Sequence, residues 1–96
     1  MKIAVLGFGT VGKSLLQVLN RKRDYLKEKF GFDFEVVAVF KRDGAFVDPQ
    51  GLNLGSLAFI SDYKQHPRWK ANVRPGDAIT ELDCDLIVEV TPTEIE

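Results

Sequence analysis

Apolar residues open the chain in a short run, Lys2 to Leu6, that stops at Gly7. A run of this length closed by glycine reads as a buried strand. From Val11 the period lengthens: Val11, Leu15, Val18, Leu19, Leu26 and Phe30 recur near helical spacing, with polar residues between. That pattern predicts an amphipathic helix of about five turns. Lys27 and Lys29 fall in its last turn, where cations suit the helix dipole, and Gly31 is placed as its C-terminal cap. Glu35 to Phe40 is apolar almost throughout and predicts a second strand buried on both faces, as in a parallel sheet. Lys41-Arg42-Asp43-Gly44 breaks it, and Ala45 to Gly55 reads as a loop punctuated by Pro49, Gly51 and Gly55. A second helix is expected over Leu54 to Tyr63, ending before Pro67. His66 to Gly76 is polar and irregular, and Ala78 to Leu82 reads as one more helical turn or a short strand. Asp85 to Val90 is the last strand, ended by Thr91-Pro92-Thr93. Strand, helix, strand, helix, strand in this order predicts an α/β fold, a parallel sheet with flanking helices and right-handed crossovers.

With 96 residues the chain is one domain at most, and an α/β unit of that size is marginally stable alone. Thirteen basic residues face 14 acidic ones, a net charge of −1, which argues against nucleic acid as the main partner and gives no support to a membrane surface. No apolar run approaches the ~18 residues that a spanning helix needs, and the opening segment runs into glycines instead of a cleavage site, so it is not read as a signal peptide. The one cysteine, Cys84, excludes an internal disulfide and reads as a small buried hydrophobe beside a strand. A cytoplasmic protein fits these features.

Gly7-Phe8-Gly9-Thr10-Val11-Gly12 matches G-x-G-x-x-G and lies between a predicted strand and a predicted long helix, the context that gives the pattern meaning. Gly7 permits the tight turn out of the strand, Gly9 lets a pyrophosphate approach the backbone, and Gly12 lets the helix pack closely on the strand. Unpaired N–H groups of the first helical turn then face the phosphates. The plain alternative is a tight turn with no ligand, but such a turn needs one glycine and not three at this spacing. The spacing excludes a P-loop. The motif therefore predicts a Rossmann-like dinucleotide-binding unit.

In such folds the residue ending the second strand meets the adenosine ribose; an acidic residue favours NAD and a basic one the 2′-phosphate of NADP. Here the strand ends in Phe40-Lys41-Arg42, two cations able to pair with a phosphate dianion, unless they are simply solvated loop charges. Asp43 is late for the acidic role, and Asp33 falls before the strand. The reading is NADP, with NAD possible. Thr91-Pro92-Thr93 follows a strand expected beside the first one, at the switch point where ligands of such sheets bind. Its hydroxyls can meet the nicotinamide or its ribose; an ordinary strand-ending turn is the alternative. His66 reads as a solvated residue, Asp83 and Asp85 as a polar turn and not a metal pair, and Arg21-Lys22-Arg23 as a solvated helix face. Trp69 is expected to anchor its loop or await a partner surface.

The glycine loop at 7–12, Asp-Pro-Gln-Gly-Leu at 48–52 and Val-Glu-Val-Thr-Pro-Thr at 88–93 together make the chain resemble the N-terminal half of homoserine dehydrogenase. The resemblance implies interconversion of L-homoserine and L-aspartate 4-semialdehyde with a nicotinamide cofactor, a step towards threonine and methionine. It also implies a homo-oligomer at full length. It matches Phe8, Thr10 and Val11 to cofactor-loop positions, Arg42 to a residue reaching the adenosine phosphate, and Thr91 and Thr93 to the nicotinamide end. Lys41 departs from the acidic residue many members carry there, against a preference for NAD. The family's catalytic residues lie in a later substrate domain, so none is assigned here. Residues 1–96 are expected to form the NAD(P)-binding domain in part, as a segment of a longer protein, because the strand at 85–90 would otherwise leave an apolar edge open. A stand-alone nucleotide-sensing or interaction module and a related enzyme such as an aspartate dehydrogenase are the alternatives.

Overall fold

Gly7 leaves strand β1 (Lys2–Leu6) at φ 114°, a conformation that residues with a Cβ rarely adopt. Its N–H donates to the Phe40 carbonyl at 2.9 Å, which ties the turn to the neighbouring strand. The computed structural model describes residues 1–60, 62–74, 76, 78 and 82–90, apart from the Thr10 side chain. Within them, β1 leads into helix α1 (Thr10–Phe30), then β2 (Glu35–Lys41), β3 (Gly44–Val47), helix α2 (Leu54–Ala58), a 3-10 turn (Tyr63–Gln65), β4 (Trp69–Ala71) and β5 (Leu86–Glu89). The sheet order is β4-β3-β2-β1-β5. Strands β2 and β5 flank β1 in parallel, while β3 and β4 pair antiparallel beyond β2.

The predicted α/β sheet with flanking helices is present, but it is mixed and not all parallel. Residues expected to be loop after position 44 fold back on β2 as β3, because Arg42 and Asp43 make a tight turn and Phe46 finds a buried site on the sheet. The stretch from His66 to Gly76, read as irregular, contains β4, whose Trp69 pairs with Phe46. The helix expected over Leu54 to Tyr63 is shorter. Asn53 caps its start by accepting from the Ser56 N–H, and Asp62 accepts from the Lys64 N–H to begin the separate 3-10 turn. An aspartate that bonds its own backbone competes with helix continuation at that point. Ala78 and Leu82 take helical backbone, the helical of the two alternatives for that segment; the residues between them lie outside the described ones.

Helix α1 ends as expected at Gly31, whose left-handed backbone (φ 64°) closes on the Lys27 carbonyl. Its buried ridge differs from the expected one. Leu16 is fully buried, with Leu15, Leu19 and Leu26 partly so, whereas Val11, Val18 and Phe30 are 63%, 45% and 71% exposed. The ridge starts at Gly12, where an added Cβ would stand 2.7 Å from the Gly7 carbonyl oxygen, and this close approach sets the rotation of the helix. Arg23, read as solvated, instead donates to the Phe34 carbonyl at 2.9 Å and lies over the Phe34 ring, clamping the helix to the start of β2. One core therefore lies between the sheet and the two helices, built on Val5, Leu16, Val36, Val39, Phe46 and Leu57. A second cluster on the opposite face gathers Ala4, Ala38, Phe40, Ala45 and Leu82, with Cys84 packed at its margin.

The two glycines of the helix mouth separate in a mutational test. Gly12→Ala is expected to cost about 1–3 kcal/mol in denaturant unfolding, the scale of overpacking against backbone that must shift. Gly9→Ala, whose Cβ would meet nothing within 4 Å, is expected to stay within about 0.5 kcal/mol of wild type.

Candidate cofactor site

The C-terminal ends of β2, β1 and β5 lie side by side, because all three strands run in one direction with β1 in the middle. The chain leaves β1 to build β2 on one side and later returns to build β5 on the other, which makes the end of β1 the switch point of the sheet. The glycine loop sits there. Val90, the last described residue, donates its N–H to the Leu6 carbonyl at 2.8 Å. Its side chain also reaches towards Gly12, so the end of β5 is packed on the helix mouth. Thr91, Pro92 and Thr93 lie outside the described residues.

Helix α1 begins without a side-chain cap and without an acidic residue in its first turn. Gly9 is its N-cap, and the first N–H to find a helical acceptor is that of Lys13, bonded to the Gly9 carbonyl at 2.9 Å. The N–H groups ahead of it are the unpaired donors that every helix start exposes. The open space beside Gly9 and the missing cap leave this end shaped for an anion, whereas α2 and the 3-10 turn are closed by Asn53 and Asp62. Phe8 points inward and not at the loop's outer face: it is buried, edge-on to Phe46 at 5.3 Å. Its contribution to the loop's outer surface is thus its backbone. Val11 is exposed on the outer wall of the helix mouth.

Lys41 and Arg42 reach the same edge. The Lys41 ammonium lies 5.5 Å from the Phe8 ring centre and 4.4 Å from that of Tyr63, and Lys13 lies 5.4 Å from Phe8 on the helix side. Arg42 is exposed on the β2–β3 turn. Tyr63 and Lys13 escaped the sequence reading. The aspartate at 62, a capping residue in mid-helix, was the available signal that Tyr63 starts a new element. Tyr63 donates its hydroxyl to Asp43 Oδ2 at 2.8 Å, which holds the Asp43 carboxyl below its usual range, helped by Lys64 and Lys41. The same bond raises the Tyr63 phenol above its ordinary value.

Asp48 of the acidic-proline-glycine loop lies at the other end of β2. Its Oδ1 accepts from the Gln50 N–H, its Oδ2 pairs with Arg68 at 3.2 Å, and Leu52 bonds the Val36 carbonyl, so this loop is scaffold. His66, read as solvated, is half-buried and tied to its neighbours. The Arg68 N–H donates to its Nδ1 at 3.0 Å, which leaves the proton on Nε2 to face Ser56 Oγ at 3.0 Å. Its ring also stands edge-on to Phe46. Cys84 is half-buried, and burial pushes its thiol up, away from reactivity. Among the described residues no cluster of His, Cys, Asp and Glu could hold a metal, and no helix is long and apolar enough to cross a membrane.

No family model matches the chain. A homoserine dehydrogenase of Methanocaldococcus jannaschii is 37% identical over 100 residues, covering 100% of this chain and 30% of that protein. An NAD(+)-dependent homoserine dehydrogenase of Pseudomonas canavaninivorans is 29% identical over 97 residues, covering 96% of this chain and 28% of that protein. The chain thus spans about a third of the length of these curated relatives. Among solved structures, a hyperthermophilic archaeal homoserine dehydrogenase in complex with NADPH superposes with a TM-score of 0.74 at 21% identity, over 94% of this chain and 28% of that one. The fold is shared with that protein.

Partial burial and the nearby Arg68 hold the His66 imidazole below its ordinary value of 6.5. The unfolded chain therefore takes up the proton first as pH falls through 6.5. The stability contributed by neutral His66 is complete above that pH and declines below it, down to the folded-state value. Thermal unfolding followed from about pH 8 to about pH 5 should show a shallower decline for His66→Gln than for wild type; parallel curves would contradict this.

Proposed function

We propose that this chain is the NAD(P)-binding portion of a homoserine dehydrogenase, which interconverts L-homoserine and L-aspartate 4-semialdehyde on the route to threonine and methionine. One observation carries the reading: an uncapped helix start, open at Gly9 and locked at Gly12, stands beside Lys41 and Arg42 at the switch point of the sheet. The relatives supply the reaction, since the chain is similar over its whole length to a homoserine dehydrogenase.

The residues present fit a nicotinamide dinucleotide. The N–H groups of Thr10, Val11 and Gly12 would hold its diphosphate, with Gly9 leaving room for the approach. Lys41 and Arg42 would hold the 2′-phosphate of NADP, Arg42 in bidentate fashion. NAD is accepted as a second cofactor in this reading, in keeping with a relative named as NAD(+)-dependent. Thr91, Pro92 and Thr93 would reach the nicotinamide end. When bound, the cofactor supplies or accepts the hydride exchanged with the alcohol carbon of homoserine. The work of this segment is to bind and orient it; the groups that move the substrate proton belong to a substrate domain in the rest of the protein. Among the described residues β5 is an edge of the sheet, with Leu86 and Ile87 exposed. A homo-oligomer in the cytoplasm completes the proposal.

Titration with NADPH and NADH tests it. Arg42→Ala is expected to weaken NADPH about tenfold or more, the scale of a lost charged hydrogen bond, and to leave NADH nearly unchanged. Equal losses for both would remove the phosphate role. Assay of the protein with homoserine against aspartate then decides the substrate: oxidation of homoserine is expected, and turnover of aspartate alone would move the protein to a different dehydrogenase.

A further inference from the structure

The two charges that follow Phe40 on either side of Arg42 are managed by one side chain. Asp43 stands on the β2–β3 turn, two residues past the strand end where a carboxylate in such folds accepts hydrogen bonds from ribose hydroxyls. Its backbone is fixed there, since the Asn72 N–H donates to the Asp43 carbonyl at 2.9 Å. Its carboxylate turns to Tyr63, whose hydroxyl donates to Oδ2 at 2.8 Å, with Lys64 Nζ 4.0 Å from the same oxygen. The face of the Tyr63 ring carries the Lys41 ammonium at 4.4 Å. The ring is itself held edge-on by Trp69 at 4.8 Å, and the Asp62 cap fixes the turn that bears it.

We propose that Tyr63 is a positioning residue that sets cofactor specificity: its hydroxyl ties back the Asp43 carboxylate while its ring presents Lys41, so cations and not an anion face the ribose 2′ position. This rests on the dinucleotide reading given above. A free carboxylate at that place repels a 2′-phosphate and accepts a hydrogen bond from a 2′-hydroxyl. Restraining it therefore favours the phosphorylated cofactor twice.

The test uses dissociation constants for NADPH and NADH in wild type, Tyr63→Phe, Asp43→Asn and the double variant. Tyr63→Phe keeps the ring and its packing and removes only the hydroxyl. It is expected to shift the NADPH/NADH affinity ratio about tenfold towards NADH, the scale of one charge-assisted hydrogen bond. The double variant should recover the wild-type ratio, because no carboxylate is left to restrain. Asp43→Asn alone should retain the NADPH preference. A ratio unmoved by Tyr63→Phe, a shift that persists in the double variant, or a lost preference in Asp43→Asn overturns the proposal. Wild-type protein that binds neither cofactor removes the dinucleotide reading and this inference together. Binding of both with an unmoved ratio removes this inference alone.

Discussion

A methyl group on residue 12 would stand 2.7 Å from the Gly7 carbonyl oxygen, so the start of α1 can rest on the end of β1 only because residue 12 lacks one, while Gly7 supplies the turn at φ 114°. This approach fixes more than a local turn. It places the first-turn N–H groups over the strand ends and brings Val90 of the returning chain against the helix. It also turns Leu16, and not its more exposed neighbours, into the core. A looser contact would leave the helix free to rotate and would scatter the donors. The burial of Leu16, Val5 and Val39 stabilises the arrangement, but the glycines decide which way the helix faces.

The antiparallel β3–β4 pair gives the loop its back wall. Phe8 lies edge-on to Phe46, and Phe46 in turn meets Tyr63, His66 and Trp69. The same aromatic group thus packs the inward side of the glycine loop and carries Lys41 on its outer side. Aromatic pairs of this geometry add about 0.5–1.5 kcal/mol each beyond burial. They also couple an element that touches no phosphate to the shape of the loop that would.

β1, α1, β2 and β5 were legible in the sequence because each has a long or well-punctuated pattern, closed by Gly7, Gly31, the charged run at 41–43 and the Thr-Pro-Thr ending. β3 and β4 were not. Gly-Ala-Phe-Val is too short to show alternation, and Trp69-Lys70-Ala71 becomes a strand only because it finds β3. The outward flank of α1 carries valines that helical spacing alone cannot tell from the buried ridge. At the site, the separate duties of Gly7 and Gly12 could be read from spacing, since they are properties of the backbone. The inward turn of Phe8, the half-buried pairing of His66 and the meeting of Tyr63 with Lys41 could not. The first depends on β3 folding onto β2 and the other two on the chain coming back after α2, tertiary events with no local signature.

The only tryptophan of the chain falls beside this arrangement. Trp69 lies 4.8 Å from Tyr63 and 5.2 Å from Phe46, half-buried on a strand that ends next to the Asp43 turn. An indole so placed senses a change in how the tyrosine ring is seated, and no other indole among these 96 residues contributes to the signal. The molecule carries an intrinsic optical reporter at the end of the sheet where its charged side chains gather, readable by emission without a label.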